Sequence, residues 1–144
     1  MTTRILFLCT GNSARSQMAE GILRHVGEDK VEVFSAGTHP KGLHPLAVQV
    51  MAEVGIDISE QQSKSMGLFH GQPFDFVITV CDRANESCPV FAGGRQRLHW
   101  PMPDPAAIEG DEEQKLNAFC VTRDDLFARI WSFLSLIVSG KTSV

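Results

Sequence analysis

A cysteine and an arginine with five residues between them dominate this chain, in the run Cys9-Thr10-Gly11-Asn12-Ser13-Ala14-Arg15-Ser16. A thiolate is a strong nucleophile, and a guanidinium is a planar fork of N–H donors that grips two oxygens of a phosphate-like ion. Together they describe nucleophilic chemistry on a tetrahedral oxyanion. Ser13 and Ser16 can donate hydroxyl hydrogen bonds to the sulfur. Gly11 and Asn12 tolerate left-handed backbone, which turns successive N–H groups inward around an anion. With Thr10 and Ala14 they complete an expected oxyanion-binding loop from Thr10 to Ser16. A buried structural cysteine beside a surface arginine is the plainer reading of an isolated pair, but the flanking sequence argues against it. Ile5-Leu6-Phe7-Leu8 reads as a buried parallel strand, and Met18, Ala19, Ile22, Leu23 and Val26 recur at helical spacing. The loop therefore runs from a strand into a helix N-terminus, whose backbone N–H groups and partial positive charge bind anions and favour thiolate over thiol.

Three further residues can act on the same chemistry. Asp104, in Pro103-Asp104-Pro105, sits in a stiff loop where a carboxylic acid could protonate a departing oxygen; on its own, Asp-Pro reads as a turn. Cys81 ends another apolar strand, and parallel topology brings it to the same sheet edge as Cys9, where a Cα separation of about 6 Å would permit a disulfide. Cys88 follows after six mostly polar residues, which places it near the surface. That spacing is too long for an ordinary zinc site, and no His/Cys pair completes one, so no metal is expected. Two unrelated buried thiols remain the alternative. Cys120 carries no motif and reads as helix structure.

The elements that position these residues follow from periodicity. Strands are expected at Ile5–Leu8, Val31–Phe34, Phe74–Val80 and, more weakly, Arg95–Trp100. Helices are expected after Arg15, over His44–Val54 and over Asp111–Ile137, and Ser59 could cap a further short one. This order predicts a single α/β domain over residues 1–144, a four-stranded parallel sheet with helices on both faces, and a ligand site at the carboxyl edge of the strands. With 144 residues, 43% of them hydrophobic and 21% charged, the chain can bury a full core. A net charge of −4 offers no general attraction to nucleic acid or anionic membrane. No apolar run approaches the roughly 18 residues that span a bilayer. A cytoplasmic monomer is expected, its thiols reduced unless they cycle.

On Cys9 through Glu20, Ser35-Ala36-Gly37-Thr38, Cys81 through Pro89, His99-Trp100 and Asp104-Pro105, the chain resembles the thioredoxin-coupled arsenate reductases, which share the low-molecular-weight protein tyrosine phosphatase fold. The resemblance implies a relay. Cys9 attacks arsenate held by Arg15 and the loop, and Asp104 protonates the leaving oxygen. Cys81 resolves the adduct, releasing arsenite, and Cys88 then takes the disulfide to Cys81–Cys88, which thioredoxin reduces. The segment between these two cysteines is expected to unwind locally as Cys88 comes in. No bound cofactor is implied. Similar proteins include members with a potassium site built from positions matching Asn12, Glu20, Ser35 and an aspartate. The aspartate position is Lys64 here, whose ammonium could supply the cation's charge, so potassium is not expected to be required. The runner-up is a phosphotyrosine phosphatase using Cys9, Arg15 and Asp104 alone. The chain has no tyrosine to wall an aryl ring, although Trp100 or Phe91 could substitute. An oxyanion sensor without turnover is a third reading.

Overall fold

The computed structural model describes residues 2–82, 86 and 88–138. Four strands form one sheet: β1 (Thr3–Cys9), β2 (Val31–Gly37), β3 (Phe74–Thr79) and β4 (Gly94–His99). They are all parallel, in the order β2-β1-β3-β4. Three α-helices accompany them: α1 (Arg15–Gly27), α2 (Pro45–Ala52) and α3 (Glu112–Val138). This is the expected order of elements.

Alternation along β1 divides the core. Ile5, Phe7 and Cys9 face a cluster that includes Met18 and Ile22 of α1, Val50 of α2, and Phe119, Leu126 and Ile130 of α3. Leu6 and Leu8 face a smaller cluster with Phe69, Phe74 and Phe91. Helices thus cover both faces, but unequally: the three α-helices share one face, and the 3-10 turn Met66–Phe69 supports the other. Burial on both faces explains why Ile5–Leu8 of β1 reads as a continuous apolar run and why β3 is apolar at all but Asp75 and Thr79. β4 is an edge strand with no fully buried residue, which explains its weak signal.

The expectation of a short helix capped by Ser59 is not met. The Asp57 carboxylate takes the Ser59 N–H at 2.9 Å, closing a local turn rather than opening a helix. The capping serine is Ser65, which accepts from the Gly67 N–H at 3.2 Å ahead of the 3-10 turn.

Register fixes where the chemistry lies. Leu8 pairs with Thr79 and Cys9 with Gly37, so β1 and β3 end side by side. The Val80 N–H donates to the Leu8 carbonyl at 2.9 Å, which carries Cys81 to the edge that presents Cys9. Parallel β3 and β4 are joined through residues 80–93, and this crossover bears the cysteine pair.

Candidate active site

Arg15 opens α1, as the sequence predicted, and no side chain caps the helix N-terminus. The preceding loop turns on Asn12, whose φ of 44° is the left-handed conformation. Asparagine tolerates it because its short amide bonds locally. Buried completely, the amide donates to Ser16 Oγ at 2.8 Å and Ser35 Oγ at 3.0 Å. Its oxygen accepts from the Lys64 N–H at 2.7 Å and Gln17 Nε2 at 3.2 Å. Gly37 lets the loop lie against β2: a Cβ there would fall 2.5 Å from the Thr10 carbonyl oxygen and 2.8 Å from the Asn12 nitrogen.

Cys9 Sγ lies 2.8 Å from Ser16 Oγ and is 2% exposed. Of the two serines expected at the sulfur, Ser16 makes that contact; Ser13 lines the cleft, and its carbonyl accepts from the His44 N–H at 3.0 Å. From the sulfur a buried chain of polar groups runs inward through Ser16, Asn12 and Ser35 to Glu20, which accepts from Ser35 Oγ at 2.6 Å. Two cations balance Glu20: Arg24 at 2.6 Å and Lys64 Nζ at 3.6 Å. Asn12, Glu20, Ser35 and Lys64, singled out from sequence as loop support, thus form one connected group. Lys64 also contributes its backbone, donating to Asn12 and accepting from the Gly37 N–H at 2.9 Å. Sequence reasoning missed this, along with Ser63, whose hydroxyl donates to the Asn12 carbonyl at 2.8 Å, and Gln17.

A cleft of ≈ 580 Å³ opens over the loop, lined by Cys9, Thr10, Gly11, Ser13, Ala14 and Arg15 from below and by Lys41, His44, Glu86 and Asp104 at its sides. The Arg15 guanidinium is 5% exposed and lies 3.9 Å from Asp104 Oδ2. Burial opposes its charge, but the Glu86 carboxylate, then Cys9, then Asp104 raise its pKa above the ordinary value. Asp104 also caps the 3-10 turn Pro105–Ala107, Oδ1 accepting from the Ala106 N–H at 3.0 Å, so the turn role and the site position coexist. At the mouth, burial outweighs Asp104's charge and lowers the His44 pKa. Glu86, absent from the sequence expectations, forks onto Arg15 at 2.6 and 2.9 Å. Burial opposes its ionisation, yet Arg15, the Asp82 N–H and Thr10 win and lower its pKa.

Cys81 and Cys88 form a disulfide with Cα atoms 5.8 Å apart, while Cys9 is a free, buried thiol. Cys120, on α3, is also free; its Sγ lies 3.8 Å from Oε1 of Glu53 at the end of α2, and burial pushes the thiol up. His99 joins the cysteine pair, one potential ligand atom from each lying within 4.8 Å of the others; sulfurs bonded to each other are not thiolate ligands. Most of the segment expected to unwind, residues 83–85 and 87, lies outside the described residues. Trp100 and Phe91 do not wall the cleft: Trp100 packs on Phe7 and Phe133, and Phe91 on Phe74. Among the described residues the cleft has no Phe or Trp lining. No helix among them is long and apolar enough to cross a membrane.

Comparison with known proteins agrees with this geometry. An arsenate reductase from Shouchella clausii is 47% identical over 129 residues, 90% of this chain and 93% of the relative. A solved arsenate reductase in its oxidized state superposes with a TM-score of 0.79 at 31% identity, covering 94% of this chain and 99% of that one. A thioredoxin-dependent arsenate reductase from Corynebacterium glutamicum gives a TM-score of 0.60 at 27% identity, covering 90% of this chain and 62% of that one. Residues 4–137 match the low molecular weight phosphotyrosine protein phosphatase family, and it is to this family, among its arsenate reductases, that the chain belongs.

Proposed function

We propose that this protein reduces arsenate to arsenite through a three-cysteine relay regenerated by thioredoxin. Cys9 attacks arsenic while Arg15 and the loop N–H groups hold the oxygens. Asp104 gives a proton to the departing oxygen, which leaves as water, and an S–As bond remains. Cys81 then attacks the Cys9 sulfur; the S–As bonding pair stays on arsenic, which leaves as arsenite, and a Cys9–Cys81 disulfide forms. Cys88 attacks Cys81, Cys9 departs as thiolate, and the disulfide becomes Cys81–Cys88. A thioredoxin dithiol takes up this disulfide and is itself oxidised.

The observation that carries the reading is the Cys81–Cys88 disulfide beside a free Cys9 in an arginine-backed cleft. A water-resolved phosphatase needs neither residue of that pair. Export also has a physical reason: Cys9 is 2% exposed, and thiol–disulfide exchange requires access to the sulfur attacked. Cys88 is only half-buried. The thioredoxin-dependent relative supports the choice of reductant.

The assay couples purified protein to arsenate, thioredoxin, thioredoxin reductase and reduced nicotinamide cofactor, with an aryl phosphate tested in parallel. Turnover on arsenate should vanish in both Cys81→Ser and Cys88→Ser, with at most slow aryl phosphate hydrolysis surviving. Equal turnover in either variant would remove the relay. Lys64 completes the proposal: its ammonium, 3.6 Å from Glu20, supplies charge beside the loop, so exchanging sodium for potassium should change the rate less than about twofold, a free-energy difference of about 0.4 kcal/mol. A several-fold gain in potassium would overturn this.

A further inference from the structure

Among the described residues, Glu86 is the one acid whose carboxylate fills the arginine fork. Its Oε2 accepts from Arg15 Nη1 at 2.6 Å, and its Oε1 accepts from Arg15 Nη2 at 2.9 Å and from the Thr10 hydroxyl at 2.8 Å. The side chain is only 16% exposed. These are donors that a bound oxyanion would use. The carboxylate is held from behind as well: the Asp82 N–H donates to Oε2 at 3.1 Å, and the Glu86 N–H donates to the Asp82 carbonyl at 2.9 Å. The arrangement is found with the Cys81–Cys88 disulfide formed, which ties the chain five residues before Glu86 to the chain two residues after it.

We propose that Glu86 is an internal ligand of the oxyanion pocket, seated on Arg15 and Thr10 while Cys81 and Cys88 are oxidised and displaced by arsenate once they are reduced. The inference rests on reading the Cys9–Arg15 loop as an oxyanion site. Its chemical purpose follows from the relay. With Cys81 tied in a disulfide, an adduct formed on Cys9 has no thiol to resolve it, and an occupied fork keeps arsenate out until the reductant has acted. Reduction removes the cross-link, so the carboxylate loses the effective concentration that a short tether gives it. An occupant seated nine-tenths of the time weakens apparent ligand affinity about tenfold.

The test titrates inorganic phosphate calorimetrically into the full chain, with the Cys81–Cys88 disulfide formed and after reduction with dithiothreitol. Wild type should bind about tenfold more weakly when oxidised. In Glu86→Gln, and in Glu86→Ala, oxidised and reduced affinities should agree within about twofold. Equal affinity in oxidised and reduced wild type would overturn the proposal without need of a variant. So would a redox difference that persists in both variants. If reduced wild type takes up no phosphate, the pocket reading itself fails and the proposal with it; binding by the reduced protein with no effect of Glu86 defeats the proposal alone.

Discussion

Replacing Asn12 with alanine tests whether one amide holds the loop in shape. The side chain makes four hydrogen bonds, but their loss is uneven. Ser16 keeps Cys9, Ser35 keeps Glu20, and Gln17 keeps the carbonyls of Asn12 and Gln62. Among these partners the Lys64 N–H is left without its acceptor, at a cost of about 1–3 kcal/mol. Alanine at a φ of 44° adds about 1–2 kcal/mol. The expected total is about 3 kcal/mol, which for a chain of this size lowers the melting temperature by about 10 °C. Asn12→Gly loses the same bonds without the backbone penalty and should recover about 1 kcal/mol of it. Urea unfolding followed by tryptophan fluorescence, without reductant so that the disulfide persists, measures both. A loss under about 1 kcal/mol in the alanine variant, or a glycine variant less stable than alanine, would refute the reasoning.

Ser16→Ala removes the hydroxyl 2.8 Å from Cys9 Sγ and should slow iodoacetamide alkylation of reduced Cys9 by about tenfold, a charge-assisted hydrogen bond being worth about 1.5 kcal/mol or more; an unchanged rate would remove Ser16 from the activation of the thiol. His44 Nδ1 accepts from the Leu46 N–H at 3.1 Å and so caps α2 only while that nitrogen is unprotonated. Because its folded pKa is lowered, the unfolded chain binds the extra proton first, and stability should fall as pH drops below about 6.5 and level off once the folded form is protonated. His44→Asn keeps a capping acceptor and should flatten that slope in urea melts taken from pH 7.5 to 5. Glu86 is also lowered, so its stabilisation of the disulfide form is full above the ordinary carboxylate range and is lost as pH falls through the depressed value; Glu86→Gln should flatten the acid limb below about pH 4.5.

Much of this candidate site was legible because it is local. Cys9 to Arg15 lies within one strand–loop–helix unit, so spacing and periodicity sufficed to place the candidate nucleophile, the arginine fork and the helix terminus. The cysteine pair and Asp104 were legible as residues, although their convergence needed β1 and β3 to be neighbours. What stayed hidden is non-local or borne by the backbone. No spacing rule ties Glu86 to Arg15, which are 71 residues apart, and in sequence it is one acid in a polar run. Lys64 was singled out for its ammonium, while its N–H and carbonyl hold Asn12 and Gly37, a role that side-chain identity does not encode. Trp100 and Phe91 were offered as aromatic walls because composition cannot say which way a ring points; both spend their faces on the core.

The pairing of β1 with β3 also bears on how such a chain can vary. Cys9 closes β1 and Cys81 lies two residues past β3, and the pairing of Leu8 with Thr79 sets how far each sulfur is carried. A slip of one residue in β3 would turn alternate side chains to the opposite face of the sheet and carry Cys81 with them. Insertions and deletions are therefore costly wherever they change the count between the start of a strand and its cysteine. The turns at the amino-terminal edge of the sheet, around Glu28–Lys30 and Gly71–Pro73, carry no such arithmetic. Length variation among descendants of this sequence should collect at that edge, leaving the spacing of the two cysteines at the opposite one unchanged.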